Sequence, residues 1–122
     1  MFPYFQYIGN MEIKSAVVSL AALAQETRLS IFRLLVQTGE SGLPVGQIAK
    51  ALSIPNATLS FHLKELTNAG LITARQESRF IFYAANFPAM NELLGFLTEN
   101  CCAGNPCGSV TVCCDDESTS ID

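Results

Sequence analysis

Apolar residues at Ile13, Val17, Leu20 and Leu23 recur at helical spacing and predict a first helix. The run TRLSIFRLLVQ, Thr27 to Gln37, predicts a second, closed by Thr38-Gly39 in the manner of a glycine cap. After a loop from Glu40 to Pro44, VGQIAKAL predicts a short helix over Val45–Leu52. Ser53-Ile54-Pro55 forces a turn, and Asn56 is placed as the N-cap of a fourth helix, Ala57 to Ala69, stopped by Gly70. There the period changes. LITARQ and RFIFYAA are β-branched and aromatic runs that predict a hairpin turning at Glu77-Ser78. Pro88 breaks that pattern, and Ala89 to Asn100 returns to helical spacing with Met90, Leu93, Leu94 and Leu97 on one side. From Cys101 onward Gly, Ser, Asp and Cys dominate with no apolar period.

The expected organisation is an aromatic extension over residues 1–10, a mostly α domain with a small β-hairpin over 11–100, and a cysteine-rich acidic tail over 101–122. A short helix, a tight turn, a longer helix and a two-stranded ribbon form the layout of a winged helix-turn-helix, whose second helix enters a DNA major groove. On a wheel of about 100° per residue, Leu59, Leu63 and Leu66 make a buried stripe. The opposite face carries Ala57, Phe61, Lys64 and Asn68, with Thr58 and Ser60 on the flanks. Phe61 suits thymine methyls, Thr58 and Ser60 suit bases or phosphates, and Lys64 suits a phosphate. The alternative for Phe61 is burial against another helix. His62, the single histidine, lies about 60° off the stripe; a half-buried structural or phosphate-bonding role is expected of it rather than metal ligation. Arg75 and Arg79 are expected to bracket the hairpin tip and reach a flanking minor groove or backbone.

Charge fits this reading once its distribution is considered. The chain of 122 residues carries a formal charge of −4. All seven basic residues nevertheless lie between Lys14 and Arg79, opposed there by Glu26, Glu40, Glu65 and Glu77, an excess of three positive charges. A mildly basic middle can hold phosphate. No apolar run approaches the roughly 18 residues of a membrane span, and MFPYFQYIGN has no secretory pattern, so a cytoplasmic protein without a membrane partner is expected.

The run NATLSFHLKELTNAGLITARQESRFIFY resembles the recognition helix and wing of the ArsR/SmtB family of metal-sensing repressors, with Ser60, His62, Leu63, Leu66, Ala69, Gly70, Leu71 and Tyr83 matching its pattern. ALAQETRLSIFRLL resembles the family's other common stretch. The resemblance covers about Leu20 to Asn100. It implies a homodimer joined through the first and last helices, operator DNA as partner, and Asn56, Thr58, Ser60, Phe61, His62, Lys64, Arg75 and Arg79 as the DNA-contacting set. The stripes Ile13, Val17, Leu20 and Met90, Leu93, Leu94, Leu97 suit that dimer interface, with the domain's own core taking part of each. Three departures stand out. Ser78 occupies the wing tip where glycine is usual, VGQIAKAL lacks the Cys-Val-Cys arsenic motif, and AMNELLGFLTEN has no histidine for the family's zinc site.

That leaves the tail, which holds all five cysteines in its last 22 residues. Adjacent cysteines make poor disulfide partners, and soft thiolates select thiophilic ions. Cys101 and Cys102 can reach one ion only if the helix ends there, because helical neighbours point about 100° apart. Ala103-Gly104-Asn105-Pro106 allows a reversal that returns Cys107 to the pair. Three thiolates from one side suit trivalent arsenic or antimony, whereas zinc prefers four ligands. Some members of the family place an adjacent pair plus one further cysteine at this position and respond to arsenite; on that likeness Cys101, Cys102 and Cys107 are assigned as the site. The alternatives are a methylarsenite site on two thiolates, or a zinc, cadmium or lead site recruiting Cys113 or Cys114. A thiol redox enzyme fits less well, since a helix C-terminus beside Asp115, Asp116 and Glu117 disfavours a reactive thiolate.

Overall fold

The computed structural model describes residues 11–104. In chain order these form α1 (Ile13–Leu23), α2 (Glu26–Thr38), β1 (Leu43–Pro44), α3 (Val45–Leu52), α4 (Asn56–Asn68), β2 (Ile72–Glu77), β3 (Phe80–Ala85) and α5 (Phe87–Thr98), followed by a short turn, Cys101–Gly104. The helices are set by local signals. Gln25 caps α2 by accepting from the Arg28 amide at 2.9 Å, and Gly39 ends it at φ +99°. Asn86 caps α5 by accepting from the Ala89 amide at 3.3 Å, while its Nδ2 donates to the Gly70 carbonyl at 2.9 Å.

Pro88 opens α5 instead of preceding it. In the first helical turn its missing N–H costs no hydrogen bond, so the helix starts at Phe87, earlier than the predicted Ala89, and ends at Thr98 rather than Asn100. Asn56 is likewise not the N-cap of α4 but its first residue; Pro55 occupies the cap, and no side chain caps the helix.

The sheet has three antiparallel strands in the order β1-β3-β2, one more than predicted. β1 pairs Leu43 with Tyr83 and Pro44 with Phe82, and two residues are too short to show any alternation. The hairpin register runs from Ile72 opposite Ala85 to Glu77 opposite Phe80, which places the two-residue turn at Ser78-Arg79, one residue later than expected.

Ser78 adopts φ +58°, a left-handed conformation that disfavours any side chain. Ser78→Gly relieves about 1–2 kcal/mol of steric cost against about 0.4–1 kcal/mol of added chain entropy. A gain of about 1 kcal/mol in thermal or urea unfolding is therefore expected; no change or a loss would contradict this account of the turn.

The core is built from Ile31, Phe32 and Leu35 of α2, Ile48 of α3 and the Leu59, Leu63, Leu66 stripe of α4, closed by Leu71, Ile72, Ala85 and Phe87. It holds α4 against α2 and α3 and roots the wing. In α1 the polarity is reversed. Ala16, Ser19 and Ala22 face inward, while Ile13, Val17, Val18 and Leu20 are exposed by 68%, 55%, 54% and 41%. On α5, Leu93 is buried and Met90 packs on the core, but Leu97 is 54% exposed.

Candidate nucleic-acid interface

The buried leucine stripe fixes which face of α4 looks outward. Asn56, Ala57, Thr58, Ser60, Phe61, Lys64 and Asn68 are all exposed there, and Phe61 is not buried against a neighbouring helix: it is 56% exposed. An apolar ring of that size in water, beside two hydroxyls and an ammonium, is a surface matched to base edges and phosphates. The uncapped start of α4, with no acid in its first turn, leaves backbone N–H groups at a positive helix end suited to a phosphate oxygen.

His62 differs from the expectation of a half-buried ring. It is only 8% exposed, with Nδ1 3.5 Å from the Arg28 guanidinium and its ring edge-on to Phe61, the centroids 5.4 Å apart. It lies at the edge of the buried leucine stripe with Arg28 of α2 against it, a contact no helical wheel contains. Burial lowers its pKa from the ordinary 6.5, Arg28 lowers it further, and Glu65 acts the other way. The unfolded chain thus takes up the proton more readily below pH 6.5. Stability is full above that value and declines as pH falls beneath it. A plot of melting temperature against pH is expected to be flatter below 6.5 in His62→Gln than in the native protein; parallel plots would contradict the assignment.

Arg75 does not bracket the hairpin tip. It sits opposite Phe82 in mid-strand, its Nε donates to Glu77 Oε2 at 2.7 Å, and its Nη2 donates to the Ser41 carbonyl at 3.1 Å. Its guanidinium carbon lies 5.1 Å from the Phe82 ring centre. Arg75 therefore braces the wing against the loop before β1, and Arg79 alone stands at the turn. Beside Arg79 the wing exposes Phe80 by 59% and Ile81 by 43%. The sequence reading passed over both; the signal available was an apolar pair directly after a turn.

At the other end of the domain, α5 stops before the cysteines. Asn100, Cys102 and Ala103 adopt φ of +57°, +55° and +58°, so Cys101 and Cys102 are off the helix, the first partly buried and the second exposed. The helix ending that one ion on both thiols requires is present. Cys107, Cys113 and Cys114 lie outside the described residues, so the assigned set of Cys101, Cys102 and Cys107 is not seen assembled. Among the described residues no three His, Cys, Asp or Glu side chains are grouped to hold a metal. No helix among them is long and apolar enough to cross a membrane.

Residues 23–75 match a family model described as a helix-turn-helix domain. The transcriptional activator HlyU of Vibrio cholerae is 32% identical over 100 residues, 80% of this chain and 90% of HlyU. Its solved structure superposes with a TM-score of 0.57 at 37% identity, covering 71% of this chain and 97% of that one. The arsenical resistance operon repressor of Bacillus subtilis is 35% identical over 81 residues, 66% of this chain and 73% of the repressor. The chain belongs to the ArsR/SmtB-type winged helix-turn-helix regulators. A homodimeric winged helix-turn-helix DNA-binding domain from Mycobacterium bovis, solved by NMR, also superposes, with a TM-score of 0.59 at 31% identity over 70% of this chain and 76% of that one. As an ArsR-type chain the protein is a transcriptional regulator, and α4 with the β2–β3 hairpin corresponds to the recognition helix and wing of that fold.

Proposed function

We propose that the protein is a homodimeric repressor that binds operator DNA through α4 and the wing, and that trivalent arsenic or antimony on C-terminal thiolates releases it. The observation that carries the ligand reading is the ending of α5 at Thr98, with left-handed backbone at Asn100, Cys102 and Ala103. That ending frees two adjacent thiols from helical divergence. Cys101 and Cys102, with Cys107, would hold the ion, which supplies strong bonds to soft sulfur and none of the preferences of a hard cation. The named function of the Bacillus relative supports arsenic as the inducer class.

DNA contacts follow from the exposed face: Asn56, Thr58 and the open start of α4 toward phosphate, Ser60 and Phe61 toward base edges, Lys64 and Arg79 toward the backbone. Release needs a link to that face. The exposed apolar side of α1 and Leu97 on α5 support a dimer whose seam includes α5, so an ion that reshapes the residues after Thr98 acts at the edge of the seam. A 100-fold loss of operator affinity requires about 2.8 kcal/mol of differential binding, within the usual span of allosteric coupling.

The test uses a duplex recovered by selecting a random-sequence library against the full chain. Its binding is followed by fluorescence anisotropy with arsenite, methylarsenite, antimonite, cadmium and zinc in turn. Release by arsenite and antimonite, dependent on Cys107, is expected. Arsenite and apo curves that superimpose would defeat the proposal. Release by methylarsenite alone would move the site to Cys101 and Cys102, and release by cadmium or zinc alone would favour the four-thiolate alternative.

A further inference from the structure

We infer that Arg28 and His62 are a positioning pair that ties the last turn of α1 to the recognition helix and sets the pose of Phe61 on its DNA-facing side. The inference rests on the proposal that α4 binds DNA.

Arg28 lies in the first turn of α2, where its Nε donates to the Ala22 carbonyl at 2.6 Å. That oxygen belongs to the last turn of α1, whose carbonyls have no partner within the helix, and a cation is favoured at this negative end. The other arm of the guanidinium lies 3.5 Å from His62 Nδ1. Arginine only donates, so a bond here needs Nδ1 as the acceptor and the ring proton on Nε2. The His62 ring in turn meets the Phe61 ring at an interplanar angle of 65°. One planar fork thus spans from α1 to the aromatic that the groove would meet.

An open cavity of about 330 Å³ is lined by Val18, Ala21 and Ala22 of α1, Arg28 of α2, and Glu65, Asn68 and Ala69 of α4. α1 also carries the unpartnered apolar face. A shift of α1 at the dimer seam therefore moves the Ala22 carbonyl and the fork that holds it, and the fork moves His62 and Phe61. Lysine keeps the charge but replaces the planar fork with one compact ammonium, which loses the two-armed geometry.

The pair also gives DNA binding a signed pH dependence. Protonated His62 loses its acceptor and faces Arg28 as a second cation, with Glu65 on α4 as the opposing charge; the α1 residues on this cavity carry no titratable group. Operator affinity then falls as pH drops. A histidine bonded to a DNA phosphate produces the opposite trend.

The experiment measures the selected duplex by anisotropy between about pH 5.5 and 8 with the native chain, Arg28→Lys and His62→Gln. Gln offers an acceptor that never titrates. The native chain is expected to lose affinity toward the acid end while His62→Gln stays level, and Arg28→Lys is expected to bind about 10-fold more weakly at pH 7.5 with unchanged circular dichroism and dimer mass. Native-level binding by folded Arg28→Lys overturns the inference. So does an acid-side gain in affinity that His62→Gln abolishes. If Arg28→Lys does not fold, the comparison of native and His62→Gln profiles decides by itself. A native chain that selects no duplex at any pH counts instead against the DNA-binding reading beneath it.

Discussion

Replacing Val17 and Leu20 together with glutamate is expected to leave each protomer folded, abolish dimerisation and weaken operator binding by about 100-fold or more. Both side chains are already 55% and 41% exposed, and α1 packs on its own domain through Ala16, Ser19 and Ala22, so the domain loses almost no internal contact. In a dimer the same residues would be buried, each worth about 1.5–3 kcal/mol, and a buried unpaired carboxylate reverses that sign. The expected loss in DNA binding is larger than any single contact because, in the proposed dimer, two linked recognition helices would hold two half-sites by avidity. Sedimentation velocity and anisotropy on the double variant check both parts. A dimer of native mass would show that the seam lies elsewhere.

Gly42→Ala is expected to destabilise the fold more than any surface substitution. Gly42 has φ +75°, and a Cβ there would run into the carbonyl of Tyr83, a backbone group of β3 that cannot swing aside. The left-handed conformation costs about 1–3 kcal/mol for a non-glycine residue, and overpacking adds about 1–3 kcal/mol. A fall in melting temperature of more than about 10 °C follows for a domain of this size. The residue matters because it delivers Leu43 and Pro44 to β3 and holds the Ser41 carbonyl that braces Arg75. A melting temperature within about 3 °C of native would mean that β1 is dispensable.

The parts of the fold set by local chemistry were readable in advance. α4 reads well because Leu59, Leu63 and Leu66 form one inward stripe, so one wheel identifies both that stripe and the exposed Phe61, though not the burial of His62 beside it. α3 reads to the residue because Pro44 and Ser53 bound it. Elsewhere the deciding interaction is distant in sequence. β1 is two residues whose only signal is pairing with a strand nearly 40 residues away, and the buried His62 lies against Arg28, 34 residues earlier. Arg75 is held in mid-strand by Ser41 in the same way. α1 shows a third kind of limit. Its period reveals a small-residue face and a large apolar face, but close approach to α2, α4 and α5 selects the small one for the interior. The proposed cysteine site rests on chemistry, adjacent thiols beyond a helix, and the structure adds where that helix stops.

The proposed switch has Cys101 and Cys102 as its input and α4 as its output. It is tested most directly by anisotropy titration of the selected operator with the native chain and with the Cys101→Ser, Cys102→Ser double variant, each with and without saturating arsenite. The expected result is equal affinity of the two proteins without arsenite, a loss of about 100-fold in the native chain with it, and no change in the double variant. A double variant that arsenite releases as fully as the native chain would contradict the claim.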